Sequence, residues 1–93
     1  MNRDMSMQRQ MQIQIRFFAS LRESLGAGEA LTFDAPLTVG QLRDQLIARG
    51  EPYAGALARG RALRAAFNQT MCAETTVLTP GAEVAFFPPV TGG

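Results

Sequence analysis

Gln12-Ile13-Gln14-Ile15-Arg16-Phe17-Phe18 is the stretch that decides the fold. Its apolar side chains recur at every second position, which puts Ile13, Ile15 and Phe17 on one face of a strand and Gln12, Gln14 and Arg16 on the other. Phe18 breaks the pattern, because it falls on the polar face. The last alternating run, Val84-Ala85-Phe86-Phe87, repeats the anomaly: Val84 and Phe86 share a face, and Phe87 lies with Ala85 on the other. Strands linked through a crossover helix are commonly parallel neighbours. If these two are, their C-terminal ends align and Phe18 stands beside Phe87 on a face that no helix covers.

The residues between them supply the rest of the architecture. Ser20-Leu21-Arg22-Glu23 has the spacing of a capping box, with Gly26 as a stop after one or two helical turns. Glu29 to Ala35 alternates again, with Leu31 and Phe33 inward, and forms a hairpin-like pair with the first strand. Thr38-Val39-Gly40-Gln41 opens the main helix: Thr38 is the N-cap, Gln41 sits at N3, and Leu37 and Leu42 are placed as a hydrophobic staple. Val39, Leu42, Leu46 and Ile47 form its apolar stripe, leaving Arg43, Asp44, Gln45 and Arg49 as a solvated face. Glu51 to Gly60 is weakly patterned, with Tyr53 and Leu57 fitting a short helical turn. Leu63 to Asn68 alternates as a third strand. Gln69-Thr70-Met71-Cys72 and Thr75 to Leu78 read as short extended pieces, and Pro80-Gly81 is a turn. The expected fold is α+β: a mixed sheet of about five strands with one main helix packed on one face. Residues 1–10, polar and aperiodic, are expected to be disordered; residues 11–87 form the domain; residues 88–93 form an extended tail.

Composition narrows the function. The chain has 93 residues, nine basic and eight acidic, for a net charge of +1. That is one small domain with no basic face for nucleic acid. No apolar run is long enough to span a bilayer, and the first residues lack the apolar core of a signal peptide. A single cysteine, Cys72, rules out an internal disulfide, so a cytoplasmic setting is the default. With no activating neighbour in the sequence, Cys72 reads as an inert, packed or half-buried thiol. The chain contains no histidine and no lysine. The usual general base, the commonest metal ligand, Schiff-base chemistry and a P-loop are all missing, so catalysis by this chain alone is not expected, and neither is a metal site.

The tail carries the chemistry instead. Pro88-Pro89 cannot extend a sheet ladder and lifts the chain off the fold. Pro88 to Gly93 can then reach at most roughly 20 Å, enough to enter a neighbour's pocket. Val90 and Thr91 favour extended backbone, and Gly92 and Gly93 leave the terminal carboxylate unobstructed. Phe18 and Phe87 at its root suggest a partner-binding patch; alternatively, they fold into a second small core under a loop.

Phe17-Phe18-Ala19 with Arg22-Glu23, Thr38-Val39, Ala66-Phe67-Asn68-Gln69, and Glu83-Val84-Ala85-Phe86-Phe87-Pro88-Pro89-Val90-Thr91-Gly92-Gly93 resemble the small subunits of molybdopterin synthase, sulfur carriers with a ubiquitin-like β-grasp fold. The resemblance runs from Met11 to Gly93. It implies that an activating enzyme of the ubiquitin-activating type uses ATP to adenylate the Gly93 carboxylate, and that sulfur then replaces the adenylate. The thiocarboxylate enters the large synthase subunit and gives its sulfur to cyclic pyranopterin monophosphate, in a heterotetramer of two small and two large subunits. By the same resemblance Gly92 gives clearance, and Phe18, Met71 and Phe87 contact the large subunit with Arg22 as a polar neighbour. Pro88, Val90 and Thr91 are further partner-binding residues, and no cofactor is held by this chain. Residues 1–10, Cys72 in place of an aliphatic residue, and the stretch from Glu51 to Arg64 depart from the family pattern.

Three other readings use the same tail. The sulfur carriers of thiamine biosynthesis share the fold and the diglycine, though not the Phe-Phe-Pro-Pro-Val-Thr run. A ubiquitin-like modifier would be joined to lysines of target proteins. A plain interaction domain would not need Gly93 at all.

Overall fold

The computed structural model describes residues 10–89. Its elements are β1 (Gln10–Phe17), α1 (Ser20–Leu25), β2 (Gly28–Asp34), α2 (Val39–Ile47), α3 (Tyr53–Ala56), β3 (Arg64–Phe67), β4 (Thr70–Cys72) and β5 (Glu83–Phe87). One sheet holds all five strands in the order β2-β1-β5-β3-β4. β1 runs antiparallel to β2 and parallel to β5, while β3 runs antiparallel to both β5 and β4. This is the mixed five-strand architecture that the alternation predicts.

Strand β1 alternates between exposed and buried residues along its whole length. Met11, Ile13, Ile15 and Phe17 join Val84 and Phe86 of β5 under α2, whose Val39, Leu42 and Leu46 complete the core with Leu57. Gln10 pairs with Asp34, so the strand begins one residue inside the segment whose composition suggests disorder; residues 1–9 lie outside the described residues. The β1–β2 connection closes at Gly28, where φ is 137° and a Cβ would collide with the Ile15 carbonyl, so only glycine fits.

The start of α2 is built as its sequence specifies. The Thr38 side chain accepts from the Gln41 N–H at 3.1 Å, and the Gln41 side chain accepts from the Thr38 N–H at 2.9 Å. Leu37 and Leu42 are both buried. The start of α1 differs from its capping-box reading. Ser20 is already helical and caps nothing; the N-cap is Ala19, with φ 56° and ψ −134° and no side-chain hydrogen bond. The Leu21 N–H donates to the Phe18 carbonyl at 3.2 Å. Phe18 to Leu21 is therefore a type II′ turn with Ala19 at the position that ordinarily requires glycine. Holding a non-glycine residue there costs on the order of 1–3 kcal/mol. The buried Leu21 on the far side of the turn anchors it against that cost.

Arg43 is a second correction. It is buried, at 3% exposure, and not part of a solvated face. Its guanidinium donates to the carbonyls of Leu57 at 2.8 Å, Ala58 at 2.6 Å and Arg61 at 3.1 Å, and to Glu74 at 2.7 Å. Backbone carbonyls that no strand or helix satisfies thus find a donor, as buried polar groups must. The weakly patterned stretch from Glu51 to Gly60 consequently contains α3, a fully buried Leu57, and a loop fastened to α2 by one side chain. Beyond β4, Thr75 to Leu78 contributes a single bridge, Val77 to Thr38, instead of a further strand.

Candidate functional site

The side of the sheet away from α2 carries a groove of about 420 Å³ at the end of β5 where the chain departs. The parallel β1–β5 register creates it. Arg16 pairs with Ala85 and Phe17 with Phe86, so Phe18 comes level with Phe87. The Phe18 N–H still donates to the Phe86 carbonyl, at 3.2 Å, which keeps its backbone in the ladder while the turn at Ala19 sends the chain inward. Phe18 is 42% exposed and Phe87 half-buried. Both line the groove, so the alternative of a second small core is set aside.

Met71 forms the opposite wall. It pairs with Ala66, which pairs in turn with Ala85, so two small side chains form the floor between Met71 and Arg16. At 56% exposure Met71 is an unbranched, adaptable side chain held open to solvent. The β3–β4 hairpin that presents it turns at Asn68 and Gln69, both at positive φ (49° and 70°). Reading Asn68 as a strand residue missed this turn; Asn is the non-glycine residue most tolerant of that conformation, which is the signal in the sequence. The Asn68 N–H donates to the Glu83 carbonyl and its Oδ1 accepts from the Glu83 N–H, each at 2.8 Å. The hairpin is thereby clamped to the start of β5. Glu83 in turn holds Arg16 at 2.7 Å on the same face.

Of the residues singled out in the sequence, Phe18, Met71 and Phe87 are thus brought together. Arg22 is exposed on α1, outside the groove wall. Pro88 is half-buried and directly follows β5. Val90, Thr91, Gly92 and Gly93 lie outside the described residues. Cys72 faces away from the groove and packs against the core.

On the helix side, Arg59 pairs with Asp44 at 2.9 Å and with Glu74, and Glu74 also holds Arg43. A hydrogen bond from Arg59 is the main reason that the Asp44 carboxyl titrates below its usual value. Burial pushes Glu74 upward, but hydrogen bonds from Arg59 and Arg43 more than offset it, and its pKa is also lowered. Tyr53 is raised by burial and by its hydrogen bond to Glu29 at 3.1 Å. The Arg43, Arg59, Asp44 and Glu74 network ties loops to α2, the Tyr53–Glu29 bond joins α3 to β2, and both lie away from the groove. No helix among the described residues is long and apolar enough to cross a membrane.

The profile of the ThiS family matches residues 15–93. The chain belongs to this family. The ThiS-family match takes in the end of β1, the other groove strands, and the Pro-Pro and Gly-Gly segments together. Within curated proteins the chain is similar to the molybdopterin synthase sulfur carrier subunit of Escherichia coli (strain K12), 46% identical over 82 residues, which span 87% of this chain and 99% of that one. Among solved structures it is similar to the Haloferax volcanii HVO 2177 protein, with TM-score 0.73 and 27% identity over 90% of this chain and 88% of the other. It is also similar to a chain in the complex of subunits 1 and 2 of the molybdopterin-converting factor from Helicobacter pylori 26695, with TM-score 0.58 and 25% identity over 89% of this chain and 100% of that one. These likenesses agree with the ubiquitin-like β-grasp fold that the sequence suggests.

Proposed function

We propose that this ThiS-family chain is the sulfur carrier subunit of a molybdopterin synthase and that Gly93 is its working group. The observation that carries the reading is the parallel β1–β5 register, which gathers Phe18 and Phe87 where the chain leaves the sheet. A docking face at the root of a Pro-Pro-Val-Thr-Gly-Gly tail suits a domain that seats on one protein and inserts its end into the active site. The 46% identity to a sulfur carrier subunit over nearly the whole of that protein supports it.

The chemistry follows from the terminus. A carboxylate is a poor electrophile, so an activating enzyme of the ubiquitin-activating type first joins the Gly93 carboxylate to AMP, with release of pyrophosphate from ATP. A sulfur nucleophile then displaces AMP and leaves a thiocarboxylate. Bulk at Gly92 or Gly93 would obstruct both steps. In the large subunit the thiocarboxylate sulfur passes to cyclic pyranopterin monophosphate, and water supplies the oxygen that returns the terminus to a carboxylate. Two sulfurs per dithiolene suit an assembly of two small and two large subunits working in the cytoplasm. Phe18, Met71 and Phe87 form the contact with the large subunit, Arg22 flanks it, and Pro88, Val90 and Thr91 bind the same partner along the tail. The partners supply the groups that a chain without histidine or lysine lacks, and this chain holds no cofactor of its own.

The test is intact-mass spectrometry after incubation with the activating enzyme, ATP and a sulfur donor. The expected product gains the mass difference of sulfur for one oxygen, located at Gly93. Stable amide conjugates to other proteins would instead mark a ubiquitin-like modifier, and an unchanged mass would remove the carrier assignment.

A further inference from the structure

The docking face holds a charge that the apolar patch does not explain. On β3 the residue directly opposite Phe87 is Arg64, and directly opposed residues of an antiparallel pair project on the same face. Arg64 is exposed and, among the described residues, takes part in no ion pair. The other arginine of this face, Arg16, is neutralised by Glu83 at 2.7 Å. Glu83 cannot serve both. It precedes Phe87 by four residues along β5, a rise of roughly 13 Å from the level of Arg64. Among the described residues, the face therefore has one compensated guanidinium and one uncompensated guanidinium, the latter opposite Phe87.

Arg64 stands opposite Phe87 just outside the groove lining, so a protein that covers Phe87 and extends past it over β3 also strips water from Arg64. A guanidinium desolvated without a counter-charge opposes binding, whereas one met by a carboxylate gains two parallel, charge-assisted hydrogen bonds. We propose that Arg64 is a specificity-determining anchor of the docking face, and that the surface that seats on it presents an Asp or Glu carboxylate opposite Arg64, beside an apolar recess for Phe87. This rests on the carrier reading for the partner's identity, the large synthase subunit of the same organism. The face selects by charge as well as by shape: a large subunit with an apolar or basic residue at that point is rejected.

Titration calorimetry of the large subunit with wild type, R64A, R64K, R64E and F87A, at low and high salt, tests this. R64A is expected to weaken binding about 30-fold or more, the usual loss when one member of a buried charge pair is truncated. R64E should be weaker still, and R64K should fall between wild type and R64A because a lysine cannot make the paired contact. The salt dependence of affinity should be shallower for R64A than for wild type. Since Arg64 is exposed and in no ion pair among the described residues, thermal melts of its variants should match wild type, which separates lost contact from lost fold. If F87A weakens binding while R64A and R64E bind as wild type does, the anchor is wrong and the docking face stands. If F87A binds unchanged as well, the docking face itself falls.

Discussion

At the scale of single residues, Ala19 shows what alternation cannot reveal. The Phe17-Phe18 pair is legible in the sequence because strand geometry has a fixed period, but the turn that separates the outward Phe18 from the inward Leu21 has no glycine to announce it. The Ser and Glu three apart suggest a capped helix start, and the backbone instead places Ala19 in a glycine conformation. Replacing Ala19 by glycine should relieve the strain, less about 0.5–1 kcal/mol for the added freedom of the unfolded chain. The expected net gain is about 1 kcal/mol, read as a higher denaturant midpoint at unchanged slope. An equal or lower midpoint would mean that the turn is not strained. Arg43 escaped its reading for a related reason. Helical periodicity puts it beside Asp44 on the polar side, and nothing local reveals that the carbonyls of Leu57, Ala58 and Arg61 converge on it.

At the scale of elements, α2 was legible from cap to stripe because every signal is local: Thr38, Gln41, Leu37 and Leu42 lie within six positions. The ionic network that fastens the Leu57–Arg61 loop and Glu74 to this helix was not, since its members meet only in the folded chain. Its pH dependence has a definite sign. Asp44 and Glu74 both have folded pKa values below their usual 3.8 and 4.5, so the unfolded chain takes up protons first as the pH falls. The stabilisation is complete above the ordinary carboxylate range and is lost as the pH drops through it and through the folded values. Chemical unfolding of wild type should therefore lose stability steadily from about pH 5 to about pH 3, and the Asp44→Asn/Glu74→Gln variant should lose less over the same interval. Parallel pH profiles for the two proteins would show that the network does not contribute.

At the scale of the whole molecule, the described fold and the proposed reacting group, Gly93, fall in different parts of the sequence. The described core ends at Phe86, and the last ladder residue is Phe87. Removing Gly92 and Gly93 should leave the thermal midpoint unchanged while abolishing sulfur loading in the mass assay; a lowered midpoint would mean that the terminal residues also hold the fold together. The sheet, its helix side and the meeting of Phe18 with Phe87 could be read from periodicity and the order of elements. The Arg64–Phe87 opposition could not, because it depends on the register between two strands, and a one-residue slip would move Arg64 to the other face.

That strand order also governs how the domain is made. β5 is the last strand in sequence and the middle one in space, and the β1–β2 and β3–β4 pairs are joined in the sheet only through it. During synthesis, which runs from the N-terminus, two hairpins can form early, yet neither can bury its apolar face in the final sheet until Glu83–Phe87 has left the ribosome. A nascent chain that stops short of β5 lacks the strand that joins the two pairs into one sheet. Every molecule with the complete sheet therefore contains the strand that Pro88 directly follows.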